Sequence, residues 1–330
     1  MALAGVSFIF GAMISLGVSW VLVTRLERVG ERLGASEALL GMAAALAADA
    51  PEITSSVSAL SQHQFGIGVG VVVGSNVFNL AALLGVGAIV ARRIHLHRRV
   101  VVLGGSVALW IAAVTVATTV GGTTPREGLL LVAAVLVCYV IVLGLGTQLS
   151  RLPLPKAWCT WLSLAVDEEE SELNEAIRPL RGRPADALVA LLALVVVVVA
   201  SVAMEHGAAR LGHHFHVADA VIGGVVLAAV TSLPNAVAGV YLAAKGRARA
   251  ALSTALNSNN LNVLAGLLVP GAILGLAASS TVGTLTSVSY AALTALVLTL
   301  AYAKRGLSRA HGWLIIALYA LFVILVIIVA

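Results

Sequence analysis

Two carboxylates stand where the surrounding sequence is almost entirely apolar. Asp49 and Glu52 lie in Gly41-Met-Ala-Ala-Ala-Leu-Ala-Ala-Asp49-Ala-Pro51-Glu52 and read as the only acidic residues deep in any apolar run. An acid at that depth in a bilayer is costly unless it meets a partner, so it points first to an ion pathway. A little further on comes Gly74-Ser75-Asn76-Val77-Phe78-Asn79. Both passages return later in the chain, as Gly224-Val-Val-Leu-Ala-Ala-Val-Thr231-Ser232-Leu-Pro234-Asn235 and Asn257-Ser258-Asn259-Asn260-Leu-Asn262. Pro51 and Pro234 are 183 positions apart, and so are Gly41 and Gly224, Ser75 and Ser258, and Asn79 and Asn262.

The chemistry explains why these residue types belong together. A proline inside a helix removes a backbone donor and crowds the preceding turn, which frees carbonyls near Ala47, Ala48, Val230 and Thr231. Freed carbonyls are tolerated at membrane depth only where they line a cavity or meet a ligand. The Ser, Thr and Asn oxygens beside them are hard neutral ligands of the kind that suit Na⁺ and Ca²⁺. A single proline would read as a kink, and a single asparagine as a bond between helices. Two acids, two prolines and a doubled oxygen cluster on one offset go beyond both readings and point to a midplane binding site. A protease using the two acids would need aspartates on separate spans, whereas here an Asp/Glu pair lies on one turn with no GxGD motif. A channel stays a competing reading, although doubled helix breaks favour alternating access.

The elements that must position these residues are membrane spans. The chain has 330 residues, 60% hydrophobic and 11% charged, with a mean hydropathy of +1.04. A water-soluble domain carries roughly a quarter of its residues charged. Ten apolar runs lie near 3–24, 36–61, 66–90, 100–120, 128–147, 185–204, 218–243, 250–276, 282–303 and 312–329, close to the length a spanning helix needs. Eighteen of the twenty Lys and Arg residues fall in the loops after the first, third, fifth, seventh and ninth runs, leaving Arg126 and Arg210 for the opposite side. Basic loops stay cytoplasmic, so both termini face outward. The expected fold is an all-α polytopic membrane protein of ten transmembrane helices in two inverted five-helix repeats, 1–147 and 185–330. A cytoplasmic linker, 148–184, joins them. Five crossings per half turn the second half upside down relative to the first. Residence in a cell (inner) membrane follows, with a first helix that is retained because no basic segment precedes Ala2.

Other features are weaker. The linker joins Trp158, Trp161, Leu162 and Leu164 to an acidic run, Asp167 to Glu170 with Glu172 and Glu175. It lacks the ligand spacing of an EF-hand and reads as an interfacial helix followed by a solvated linker, not as a cation sensor. His206, His213, His214 and His216 read as a solvated outward loop. Cys138 and Cys159 suggest no disulfide framework, and the net charge of +5 reflects the cytoplasmic loops and not a nucleic-acid surface.

These motifs resemble the two alpha-repeats of the cation/calcium exchanger superfamily, the sodium/calcium exchanger family in particular. That family carries G-T-S-x-P-E in spans two and seven and G-S-N-x-x-[ND] in spans three and eight. The second signature is intact as Gly74 to Asn79, and the first is partly present as Thr231-Ser232-Leu233-Pro234. The resemblance implies spans two, three, seven and eight as a site-bearing core, with spans one and six sliding across it. It also implies a transporter with no resident cofactor and no enzymatic activity. Its expected cargo is Ca²⁺ against Na⁺, or alternatively against H⁺. Asp49 and Glu52 would bind the cation, and Ser75, Asn79, Thr231, Ser232, Asn235, Ser258 and Asn262 would complete its shell. Ala47 and Val230 would offer carbonyls. Three departures stand out: Asn235 replaces the family's second glutamate, Asn262 stands where an acid is common, and Ala48-Asp49 replaces a Thr-Ser pair. The acid count still reaches two because Asp49 supplies a carboxylate where a hydroxyl is usual.

Overall fold

The computed structural model describes residues 1–33, 36–151, 155–174, 182–246, 248–277 and 280–330. Glu175, Arg178, Arg181 and Arg247 lie outside the described residues. The chain is helical almost throughout. It begins with α1 (Ala2–Leu33), α2 (Glu37–Ala48), α3 (Ala50–Ser61) and α4 (Phe65–Asn79), and α4 continues through a π-helical turn at Leu80–Val86 into α5 (Gly87–Ala91). Next come α6 (Arg98–Val120), α7 (Pro125–Leu145), the linker helix α8 (Lys156–Asn174) and α9 (Pro184–His214). The short α10 (Asp219–Val221) leads through a π turn at Ile222–Leu227 into α11 (Ala228–Thr231), followed by α12 (Leu233–Ala244). Helix α13 (Ala251–Asn262) passes through a π turn at Val263–Leu268 into α14 (Val269–Leu274), and α15 (Thr281–Lys304) and α16 (Arg309–Val329) close the chain.

Seven described helices are long and apolar enough to cross a bilayer, and an eighth span forms if the segments Asp219–Thr231 and Leu233–Ala244, bent by 44°, are taken together. The expected runs 36–61 and 250–276 do not meet that measure. Helices α2 and α3 have twelve residues each and meet at Asp49. Helix α13 spends its length on Ser253, Asn257, Ser258, Asn259, Asn260 and Asn262, all buried. The runs that fall short are the ones carrying the polar residues.

Local chemistry sets the ends. Gly121, with φ +86°, closes α6, and a capping box of Thr124 and Glu127 with Pro125 opens α7. Loops on the arginine-bearing side are tied together by β1 (Arg93–His95) and β2 (Gly306–Ser308), which pair antiparallel with Ile94 opposite Leu307. Gly306 has φ +137° and a Cβ there would run into the Ile94 carbonyl, so the pairing needs glycine.

Two sequence expectations change. His206, His213 and His214 are not in a loop, because α9 continues to His214, and only His216 lies in the turn beyond. No group of three or more metal-binding His, Cys, Asp or Glu side chains forms among the described residues. The acidic run in the linker is not solvated throughout either: Asp167 is exposed, but two of its acids are buried. Trp158 faces outward on α8 while Glu169 and Glu172 are buried on its other side. Tyr139 of α7 donates to Glu169 at 3.0 Å, His97 Nδ1 lies 2.7 Å from Glu172, and Arg99 pairs with Glu168. Burial pushes the Glu169 carboxyl up to about 7 and raises that of Glu172. Each of these acids has a partner on α6, on α7 or at His97 just before α6, so α8 docks on the bundle.

Candidate functional site

Asp49 and Ser232 occupy equivalent breaks. Each links two helices and adopts φ −83°, ψ 0°. Pro51 and Pro234 follow two residues later and cannot send an N–H to Ala47 and Val230. Those carbonyls instead share the backbone N–H of Asp49 and of Ser232 with Ala45 and Ala228. The breaks are therefore local consequences of the two prolines, placed at the same point in each half.

Helix crossings then bring the breaks together. Gly70 and Gly74 of α4 face Gly223 and Gly224, and a Cβ on Gly70 would sit 2.7 Å from the Gly224 nitrogen. Only glycines allow this approach of backbone to backbone. A π turn starts immediately after Asn79 and another immediately after Asn262. Such widened turns concentrate at functional sites.

The side-chain contacts repeat across the 183-residue offset. Ser232 donates to Glu52 Oε1 at 2.8 Å, and Asn235 donates to Asp49 Oδ1 at 2.9 Å. These are one contact seen from the two halves, since Ser232 corresponds to Asp49 and Asn235 to Glu52. Asn79 donates to Ser258 at 3.2 Å, and Asn262 donates to Ser75 at 2.8 Å. Asn76 and Asn259 exchange bonds, each amide donating to the other's backbone carbonyl at 3.2 and 3.0 Å. Two contacts of Ser258 break the pattern: Asn235 donates to it at 3.4 Å, with no matching bond between Glu52 and Ser75. Ser258 donates to Asp49 Oδ1 at 2.7 Å, whereas its counterpart Ser75 donates to its own helix at Val72. The image acceptor for Ser75 would be Ser232, which is no carboxylate.

Nine of the eleven predicted site residues carry side-chain oxygens; six of those share one network through Asn76 and Asn259, and Ser232 and Glu52 form a separate bonded pair. Thr231 is buried nearby, with its hydroxyl donating back to Leu227 at 2.9 Å. Sequence reasoning left out Asn76 and Asn259, which brace the two halves; their place in the repeated Ser-Asn motif was the available signal. It also missed Glu205, buried in α9, whose carboxylate accepts from Ser58 at 2.7 Å. Glu205 follows an apolar run directly and so read as the start of a loop.

Asp49 and Glu52 are completely buried, and neither has a Lys, Arg or His partner among the described ion pairs. Asp49 Oδ2, Glu52 Oε2, Asn79 Oδ1 and Asn262 Oδ1 are buried with no donor. Burying acceptors without donors, two of them on carboxylates, is costly unless a positive charge answers them. Four unanswered oxygens in a network of amides and hydroxyls suit a hard cation.

Comparison with known proteins identifies the family and the fold. The family model described as "Sodium/calcium exchanger protein" matches residues 3–144 and 186–328. A curated relative, "Putative antiporter CaxA" of Alkalimonas amylolytica, is 24% identical over 258 residues, covering 74% of each protein. Among solved structures, the sodium-calcium exchanger NCX_Mj soaked with zero Na⁺ and Ca²⁺ is similar with a TM-score of 0.58 at 20% identity, over 97% of both chains. The H⁺/Ca²⁺ exchanger CAX is similar with a TM-score of 0.69 at 12% identity, over 98% of this chain and 86% of that one. At these identities the two structures speak to the fold.

Proposed function

Because the chain belongs to the sodium/calcium exchanger protein family, we propose that it is a secondary active antiporter exchanging Ca²⁺ for Na⁺ by alternating access at the site between Asp49 and Glu52. The observation that carries this reading is the pair of buried carboxylate oxygens without donors, Asp49 Oδ2 and Glu52 Oε2, at the first helix break, together with the donorless amide oxygens of Asn79 and Asn262 in the hydrogen-bonded motif beside it. Two carboxylates neutralise one Ca²⁺ or two Na⁺, so the ions compete for the same atoms, which is the requirement for exchange at one site. The architecture proposed with it is ten spans in two inverted five-helix repeats, 1–147 and 185–330, joined by 148–184. In that arrangement both termini face outward across a cell (inner) membrane. The mirrored contacts support it, since two halves inserted in opposite senses place like residues at one depth.

A second reading is exchange driven by H⁺. It is favoured by the spacing of Asp49 and Glu52, one turn apart with one donorless oxygen each, where a proton can take the place of Na⁺.

Uptake of ⁴⁵Ca²⁺ into everted vesicles under an opposing Na⁺ gradient, a pH gradient or neither tests both. Na⁺-driven uptake is the expected result. Equal uptake without any gradient would mean a channel and end the antiport reading.

A further inference from the structure

The face of α3 that starts at Glu52 continues as a polar ladder. Ser55, Ser58 and Gln62 follow at steps of three, three and four residues, which places them on one side of the helix. Ser55 is completely buried and its hydroxyl has no partner. Ser58, about 9 Å along the axis from Glu52, donates to Glu205 of α9, and Gln62 donates to the same oxygen at 3.2 Å. His206 contacts Gln62 Oε1 at 2.9 Å. Glu205 is completely buried, and its Oε1 has no partner. A groove of about 490 Å³ between α3 and α9, lined in part by Ile53, Ser58, Gln62, Val202 and His206, runs beside this cluster.

The ladder lies at one end of the molecule only. Asp186, near the start of α9, pairs with Arg25 on the arginine-bearing side. Glu205 is nineteen residues further on, about 28 Å along the axis. In the second half the matching positions on α12 are Asn235, Ala238, Tyr241 and Lys245. That face carries no run of oxygens and ends in a cation.

We propose that Glu205 is a second cation site: a way-station where a monovalent ion exchanges water for protein oxygens between outer solution and Glu52. One carboxylate with neutral hydroxyl and amide neighbours balances a single positive charge, whereas at Asp49 and Glu52 two acids stand together to answer a divalent ion. Ser55, with its unused hydroxyl, lies between the two sites. This inference rests on the antiport reading for its direction of travel, while the site itself stands on the geometry of Glu205.

The test compares wild type, Glu205→Gln and Glu205→Asp in right-side-out and everted vesicles, with ⁴⁵Ca²⁺ exchange followed at graded Na⁺ on each face. Glu205→Gln keeps an acceptor for Ser58 but loses the charge. It should raise half-saturating Na⁺ about tenfold on the face remote from Arg25 and Arg93, and less than about twofold on the other, with maximal rate retained. Glu205→Asp should recover most of that loss. Unchanged Na⁺ dependence in Glu205→Gln, or equal shifts on both faces, would overturn the proposal and leave Glu205 a structural contact between α3 and α9. If wild type shows no exchange, the antiport reading is what fails. ²²Na⁺ binding to the purified proteins then decides the site: fewer ions bound by Glu205→Gln supports it, and equal numbers overturn it.

Discussion

Asp49 uses one oxygen to hold Asn235 and Ser258 and leaves the other buried without a donor. Replacing it with serine therefore removes charge while keeping a hydroxyl at the break. Asp49→Ser should lower Ca²⁺ affinity about a hundredfold and monovalent binding less, since one carboxylate cannot balance a divalent ion. Adding Asn235→Glu recreates at positions 49 and 235 the serine–glutamate pair already present at Ser232 and Glu52, and should recover divalent transport in part. ⁴⁵Ca²⁺ and ²²Na⁺ uptake read both effects, and wild-type Ca²⁺ uptake by Asp49→Ser would make that residue a bystander. Glu52→Gln is the harsher change: cation-dependent flux should vanish while the purified protein stays monodisperse. These acids were legible because charge inside an apolar run stands out in any sequence. Asn76 and Asn259 were in view as motif letters, but their mutual bonds depend on how two helices cross. Glu205 was hidden by its place at the end of an apolar run.

The linker helix α8 shows what periodicity and composition miss at the scale of an element. An acidic run reads as solvated, yet Glu168, Glu169 and Glu172 meet Arg99, Tyr139 and His97. Only the fold brings those partners from α6, α7 and the loop before α6. The π turns after Asn79 and Asn262 were equally invisible, since no residue type demands them. Docking of α8 should depend on pH. Burial holds the Glu169 carboxyl up at about 7, above its ordinary value of 4.5. A carboxyl raised on folding favours the docked state fully below its unfolded pKa, and that contribution is lost as pH rises through the folded one. Docking should therefore be tightest near pH 4.5 and loosen progressively up to and beyond about 7. Hydrogen exchange of the α8 amides, corrected for intrinsic rates, should show falling protection across that range, and Glu169→Gln should flatten it. Protection independent of pH in the wild type would contradict the assignment.

For the molecule as a whole, topology and motion each have a direct measurement. A cysteine at Arg93 should be labelled only from the cytoplasm and one at Gly122 only from outside; labelling of both from one face would refute the span count. Motion follows from how α1 and α9 are held. Along their crossing they touch through small residues: a Cβ on Gly11 would sit 2.7 Å from the Ala200 carbonyl, and one on Gly207 2.7 Å from that of Ala4. Ser15 and Ser201 hydroxyls lie 2.8 Å apart, and Arg25 of α1 pairs with Asp186 of α9 at 2.7 Å. Backbone contact, a buried hydrogen bond and an ion pair make these two helices one body, with apolar faces such as Leu3, Phe10, Leu188 and Val199 turned outward. Against the core, α9 has the open groove beside α3, so alternating access should proceed by the pair moving over that seam. Two cross-links separate the cases. A disulfide from Ser15→Cys and Ser201→Cys, within one body, should leave exchange within about twofold, as the hydroxyls already stand close enough for sulfurs to bond with little rearrangement. A short bis-methanethiosulfonate linker, which joins cysteines at Ser58 and Val202 on opposite sides of the groove by displacing sulfinate, should stop exchange, and reductive cleavage of the linker should restore it. Full-rate exchange with α3 and α9 linked would show that the pair does not move over this seam, and that the site opens by another element.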